Sequence, residues 1–167
     1  NAPQPRAAMP SRAAALREWV SIVWSIEQSL FIAIETSVVD PNNNYSIRST
    51  NGITWTEQLI SENLSLRSSA WSPELALYAA VSSTGTNRIA TSPDGVVWTF
   101  RSVPELNTWN SIAWSPSLKL FAAVSSTGTN RVMTSPDGIT WTARAAAEAN
   151  AWQGIAWSPS LALFAAV

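Results

Sequence analysis

"SSTGTNRVMTSPDGITWT" occupies residues 125–142, and "SSTGTNRIATSPDGVVWT" occupies residues 82–99, so the chain says nearly the same thing twice. The repetition extends beyond these phrases. Aligning residues 66–108 with 109–151 gives 27 identities in 43 positions. The ten tryptophans of this 167-residue chain fall on three columns of the repeat. Trp24, Trp71, Trp114 and Trp157 form the first, and Trp55, Trp98 and Trp141 the second. Trp19, Trp109 and Trp152 form the third, where Leu66 stands in the second unit. Phe31, Tyr78, Phe121 and Phe164 make a further aromatic column. The organisation that follows is an N-terminal segment (1–18), three units (19–65, 66–108 and 109–151) and a partial unit (152–167). The first unit is longer near "VVDPNNNY" (38–45), a Pro/Asn-rich loop of the kind that tolerates insertion.

Each unit reads as four strands. In the third unit these are residues 109–115, 118–126, 130–135 and 139–146, separated by "PS", "TGT" and "PDG". Proline presets φ, Asp bonds the local backbone and glycine accepts positive φ, so "PDG" is turn chemistry. Dense β-branched and aromatic residues, with a turn signal every eight to twelve positions, disfavour helix. Short strands repeating with a period in the forties are the signature of β-propeller blades. The expected fold is therefore all-β: a propeller of four-stranded blades, about three and a half per chain. In that arrangement the Trp114 and Trp141 columns pack between blades.

"SPDGITW" (135–141) and "SPDGVVW" (92–98) resemble the Asp-box, the bacterial neuraminidase repeat with the pattern Ser-x-Asp-x-Gly-x-Thr-Trp, with the turn one residue shorter here. "STNGITW" (49–55) is a degenerate copy. The resemblance implies a hairpin between the third and fourth strands of a blade. There Asp94 and Asp137 brace the turn, Ser92 and Ser135 assist, and Trp55, Trp98 and Trp141 pack beneath. Asn51 takes the Asp position, where its amide oxygen also accepts backbone N–H bonds. The whole unit is similar to bacterial, phage and metagenomic propellers with near-identical blades. Propellers host hydrolases, lectins and scaffolds alike, so the resemblance speaks for fold more than for function.

Composition excludes several functions. Net charge is −1, with single scattered charges, which offers no basic stripe for nucleic acid. No apolar run approaches the roughly 20 residues that span a bilayer. Cysteine and histidine are both absent, removing thiolate metal sites, disulfides and a Ser-His-Asp triad, and the compartment stays open. No cofactor motif is present. A sialidase-like enzyme would need clustered arginines and a tyrosine with a glutamate partner. Tyr45 and Tyr78 are the only tyrosines, and no glutamate stands in a recognisable relation to Tyr45. The expectation is a non-enzymatic binding or scaffold module, for carbohydrate or protein. An Asp-box-type glycosidase and an amplified fragment without selected activity are the alternatives.

Ligand-binding candidates come from positions that repeat around the ring. Asn87 and Arg88, and Asn130 and Arg131, lie in the "TGTNR" loops, and Trp109 and Trp152 open the first strands. Those loops share one face, opposite the "SPDG" hairpins, and an aromatic beside Asn and Arg suits a sugar. The competing role for the same side chains is blade-to-blade bracing. The last unit reaches "LALFAAV" (161–167) after two strands. Three blades do not close a ring, so either the chain is a piece of a longer protein or copies complete one another. The expected partner is a second copy, a homodimer closing about seven blades, with residues 8–17 offering an outer strand.

Overall fold

The computed structural model describes residues 17–36, 44–62 and 64–167. The closing strand expected within residues 8–17 and the insertion expected near 38–45 fall largely outside them. Fourteen strands form three four-stranded antiparallel sheets and one two-stranded sheet, each a simple meander, and no helix occurs among the described residues. The first sheet runs β1 (Glu18–Ser25), β2 (Leu30–Thr36), β3 (Asn44–Ser49) and β4 (Thr56–Ile60). The second runs β5 (Leu66–Ser72), β6 (Leu77–Ser82), β7 (Ile89–Ser92) and β8 (Thr99–Arg101). The third is β9 (Trp109–Ser115), β10 (Leu120–Ser125), β11 (Val132–Ser135) and β12 (Thr142–Arg144), and β13 (Ile155–Ser158) pairs with β14 (Leu163–Ala166).

Register is the same in every unit. Trp24 faces Phe31, Trp71 faces Tyr78, Trp114 faces Phe121 and Trp157 faces Phe164, so the first aromatic column pairs with the fourth across each β-ladder. Their rings lie 4.3 to 4.9 Å apart, the tilted close contact that aromatic quadrupoles favour. A bulge follows the start of each complete first strand, between Trp19 and Ser21, between Leu66 and Ser68, and between Trp109 and Ser111. The outer strand is shorter than the pattern predicts. The sequence predicts the fourth strand over residues 139–146, yet β12 spans only Thr142–Arg144. The N–H groups of Ile139 and Thr140 bond the Asp137 carboxylate instead.

Alternation along the strands gives every sheet two apolar faces, and sheets stack face on face. One core cluster joins Ile32 and Ile34 of the first sheet to Trp71, Tyr78, Ala80, Ala90 and Trp98 of the second. A second joins Ala70, Ala79, Val81 and Ile89 to Ile112, Trp114, Phe121, Ala123, Met133 and Trp141 of the third. First strands pack on first strands, and a serine joins each pair. Ser69 N donates to Ser21 Oγ at 3.0 Å, Ile112 N to Ser68 Oγ at 3.3 Å and Ile155 N to Ser111 Oγ at 3.2 Å. An indole reaches back in the same direction: Trp71 Nε1 donates to Glu27 Oε2 at 2.8 Å and Trp114 Nε1 to Glu74 Oε2 at 2.9 Å.

Candidate functional site

A meander has two ends, and here they differ in chemistry. One end carries the loops joining second to third strands and those joining consecutive sheets. The other carries the turns joining first to second and third to fourth strands.

The first end holds all the ligand candidates, and their polar groups are already engaged. Arg88 donates from Nε to Gly85 O at 3.0 Å, and from one terminal nitrogen to Ser83 O at 2.9 Å and Asn107 O at 2.6 Å. Arg131 repeats this with Gly128 O at 3.0 Å and Ala149 O at 2.7 Å. Each guanidinium thus ties a loop to the connection leading into the next sheet. Burial lowers the Arg88 pKa below its ordinary value, a cost of placing the cation there. Asn130 donates from its backbone N to Glu105 Oε2 at 3.1 Å and from its side-chain amide to Glu105 Oε1. Those bonds hold the Glu105 carboxyl below the usual range. Asn107 Nδ2 completes the knot on Asn130 O at 2.7 Å, and Asn87 donates weakly to Glu62.

Trp109 has no exposed surface, and its Nε1 bonds Glu105 O at 3.3 Å. It is a core residue rather than a stacking platform, with Glu105 and Val103 of the connection between the second and third sheets against it or its cluster. Trp152, in the same column, is half-buried with Nε1 on Glu148 O at 3.2 Å. Asn107 and Asn150, two residues before Trp109 and Trp152, stand out in the sequence beside the candidates, whereas sequence reasoning passed over Glu105, although the signal was present. Glu-x-Asn recurs as Glu148 and Asn150, bonded to each other at 2.9 Å.

At the opposite end each third-to-fourth turn has the same brace. Asp137 Oδ1 accepts from Ile139 N at 2.8 Å, Thr140 N at 2.7 Å and Ser135 Oγ at 2.9 Å, while Ser135 Oγ accepts from Gly138 N at 2.8 Å. Asp94 and Ser92 reproduce the arrangement, and Asn51 with Ser49 does so through an amide oxygen. Trp98 and Trp141 are buried beneath their turns, and Trp55 is half-buried. Trp141 Nε1 bonds Gly138 O at 3.1 Å, whereas Trp98 Nε1 bonds Ser46 Oγ at 3.3 Å in the preceding sheet. Burial raises the Asp94 and Asp137 carboxyls, but the backbone N–H and serine bonds outweigh it and hold both below 3.8.

A folded-state pKa below the unfolded one means stability that is present above pH 3.8 and drains away as pH falls through the lower value. Asp137→Asn, which copies the first unit, is expected to keep the turn and flatten the acid limb of stability. Asp137→Ala is expected to lose about 1 kcal/mol at neutral pH. Urea midpoints taken between about pH 6 and about pH 2 check both. An unchanged acid limb in Asp137→Asn would contradict the assignment.

The same end exposes a repeated set of aliphatic side chains. Ile26, Leu75, Leu118 and Leu161 sit in first-to-second turns, and Ile53, Val97 and Ile139 in third-to-fourth turns, each between 38% and 72% exposed. Four of the shorter turns place a non-glycine residue at positive φ: Ser29, Ala76, Lys119 and Ala162.

A third cluster corrects the reading of Tyr45. The Arg17 guanidinium lies 3.6 Å from the centre of the Tyr45 ring and pairs with Glu35 at 2.9 Å and Glu57 at 3.0 Å. Two glutamates therefore do stand near Tyr45, brought there by the β2–β3 and β3–β4 pairing. Burial pushes the Glu35 carboxyl up, against the pull of Arg17. The single arginine is committed to both carboxylates. Tyr78 is buried, with its hydroxyl on Gln28 Oε1 at 3.2 Å. Among the described residues no group of three acidic side chains converges as a metal site.

Neither a protein-family model nor a curated protein matches the chain. Solved structures do match by shape. The structure of a nidogen/laminin complex aligns over 89% of this chain and 56% of that one, with TM-score 0.70 and 16% identity. YCF48 bound to a peptide aligns over 86% of this chain and 44% of that one, with TM-score 0.59 and 16% identity. A gluconolactonase from Xanthomonas campestris aligns over 83% and 50%, with TM-score 0.58 and 11% identity. The chain spans about half the length of these structures. Its fold is that of a β-propeller, seen here as an open arc of tandem four-stranded blades.

Proposed function

We propose that the chain is a non-enzymatic β-propeller module that binds a protein partner across the end bearing the Ser-Pro-Asp-Gly hairpins. The observation that carries this reading is the exposed aliphatic rim, repeated at equivalent turns of successive blades. Protein contacts use apolar surface rimmed by polar groups, and five of these side chains hold shared repeat positions, Leu75, Leu118 and Leu161 in one column and Ile53 and Ile139 in another. Between the aliphatic side chains stand the anionic carboxylates of Asp94 and Asp137. A partner segment carrying apolar residues with basic ones between them fits that surface.

Two considerations favour protein over sugar. The Asn and Arg side chains of the opposite end spend their donors on blade-to-blade bonds, and the Trp109 face is enclosed. Two of the shape matches are structures of propellers in complex with a protein or a peptide. The Asp-box-like serines and aspartates act as turn braces on this reading, which leaves them no catalytic part.

The test is peptide-display selection on the immobilised protein, repeated with Val97→Lys/Leu118→Lys/Ile139→Lys and with Arg131→Ala. Peptides should be enriched by wild type and by Arg131→Ala and lost with the triple variant. Peptides lost only with Arg131→Ala, specific hits on a glycan array, or turnover of a sialoside would each overturn the reading.

A further inference from the structure

Among the described residues, no sheet packs on the outward face of blade 1, and part of that face is exposed. Blade 3 presents Ile112, Trp114, Phe121, Ala123, Met133 and Trp141 to the blade before it, and all six are buried. The equivalent residues of blade 1 are Ile22, Trp24, Phe31, Ala33, Ile47 and Trp55. Five of the six are the same residue type, and the sixth exchanges isoleucine for methionine. Ala33 and Ile47 are buried and Phe31 and Trp55 half-buried, yet Ile22 is 59% and Trp24 42% exposed, against 4% and 8% for Ile112 and Trp114. An open apolar groove of about 280 Å³ runs over this face, lined by Trp19, Ile22 and Trp55 among others.

The opposite half of the same junction is also bare. Blade 2 covers blade 3 with Ala70, Ala79 and Val81, all buried. The two-stranded sheet carries Ala156, Ala165 and Val167 at those positions, and all three are exposed. Among the described residues, the molecule therefore shows, at least partly exposed, both sides of an interface that it makes internally between blades 2 and 3.

We infer that the open face of blade 1 is the seat for the β13–β14 sheet of a second copy of this chain, docked head to tail. The contact is heterologous, one side of one copy against the other side of the next. Small alanines against large aromatics give the same interdigitation as in the internal core. Glycine 52 has room for the incoming sheet: a side-chain carbon there would meet only Phe31, at 3.7 Å, whereas Gly95 and Gly138 are closed in by the blade before them. Two polar ties of the internal junctions are missing. Gly154 stands where Ser21, Ser68 and Ser111 form the serine bonds, and Ser160 stands in the place of Glu27 and Glu74. The contact is consequently apolar and reversible.

Closure by two copies satisfies both junctions at once. Each partial sheet then keeps its own place in the ring, between blade 3 of one copy and blade 1 of the next.

Light scattering on the purified chain should give twice the 18.0 kDa chain mass, falling toward the single chain on dilution. Ile22→Arg and Ala165→Arg alter residues that are exposed in the single chain, so each should fold with native near-ultraviolet dichroism and run as a monomer. Mixing the two variants leaves one intact junction and should restore a one-to-one dimer at high concentration. A wild type that stays monomeric overturns the inference. So does a dimer that Ala165→Arg leaves intact, since that would be a symmetric contact of blade 1 faces, and so does an open polymer in place of the two-copy ring.

Discussion

Trp109→Ala is expected to lower the unfolding free energy by about 3–5 kcal/mol, a large part of the stability of an ordinary domain. Trp109 is the largest wholly buried side chain, part of the blade 2–blade 3 core with Val103 packed against that cluster. Removing it leaves a cavity that a rigid sheet pair cannot close, and takes away the indole donor to Glu105 O. Trp109→Leu reproduces what the second unit has at Leu66, itself fully buried, and is expected to cost distinctly less. Trp152→Ala should cost less than either comparison implies for Trp109, because Trp152 is only half-buried. Urea unfolding followed by tryptophan fluorescence and far-ultraviolet dichroism measures all three. Equal losses at Trp109 and Trp152 would contradict the burial argument.

Gly95→Ala is expected to cost about 2–5 kcal/mol, from two causes that can be separated. Gly95 lies at φ +71°, where a side chain costs about 1–2 kcal/mol. A Cβ would also stand 2.9 Å from Ile32 Cγ1, and nearer still to its Cδ1, in the tight junction between blades 1 and 2, adding about 1–3 kcal/mol of overpacking. Gly52 has nearly the same conformation, φ +70°, without the crowding. Gly52→Ala in the monomeric Ile22→Arg background should therefore show the conformational cost alone. Ile32→Val removes the clashing methyl and should return part of the loss in a double-mutant cycle with Gly95→Ala. Additive losses would show that the hairpin is not wedged against Ile32.

Much of this architecture was legible in the chain because the signals are local. Strand positions followed from alternation and turn residues, and β9 spans the residues expected of it. The role of Asp137 as a brace rests on atoms within three residues of it, so the same phrase implies the same turn wherever it occurs. The fourth strand is shorter than its pattern predicts for a related reason: a carboxylate captures two amides that the strand pattern assigns to the ladder. The binding candidates were harder. Arg88 and Asn130 have the composition of a sugar site, and only the path of the neighbouring connection shows their donors taken by Asn107 O and Glu105. The Arg17–Glu35–Tyr45–Glu57 cluster was invisible, since its members are brought together by strand pairing rather than by spacing.

Trp24 and Trp114 mark the division most plainly. They occupy one column, each paired with a phenylalanine at 4.4 and 4.5 Å, and that local pairing is written in the repeat. Their exposures, 42% and 8%, are not. The sequence alone determined the units, the meander of each blade, the braced turns and the aromatic pairs, because short-range hydrogen bonding and side-chain alternation specify them. Tertiary structure alone decided which faces are covered, which arginines are free and which surface is left to meet a partner. Burial depends on what packs against a face, and identical blades acquire different surroundings from their places in the arc.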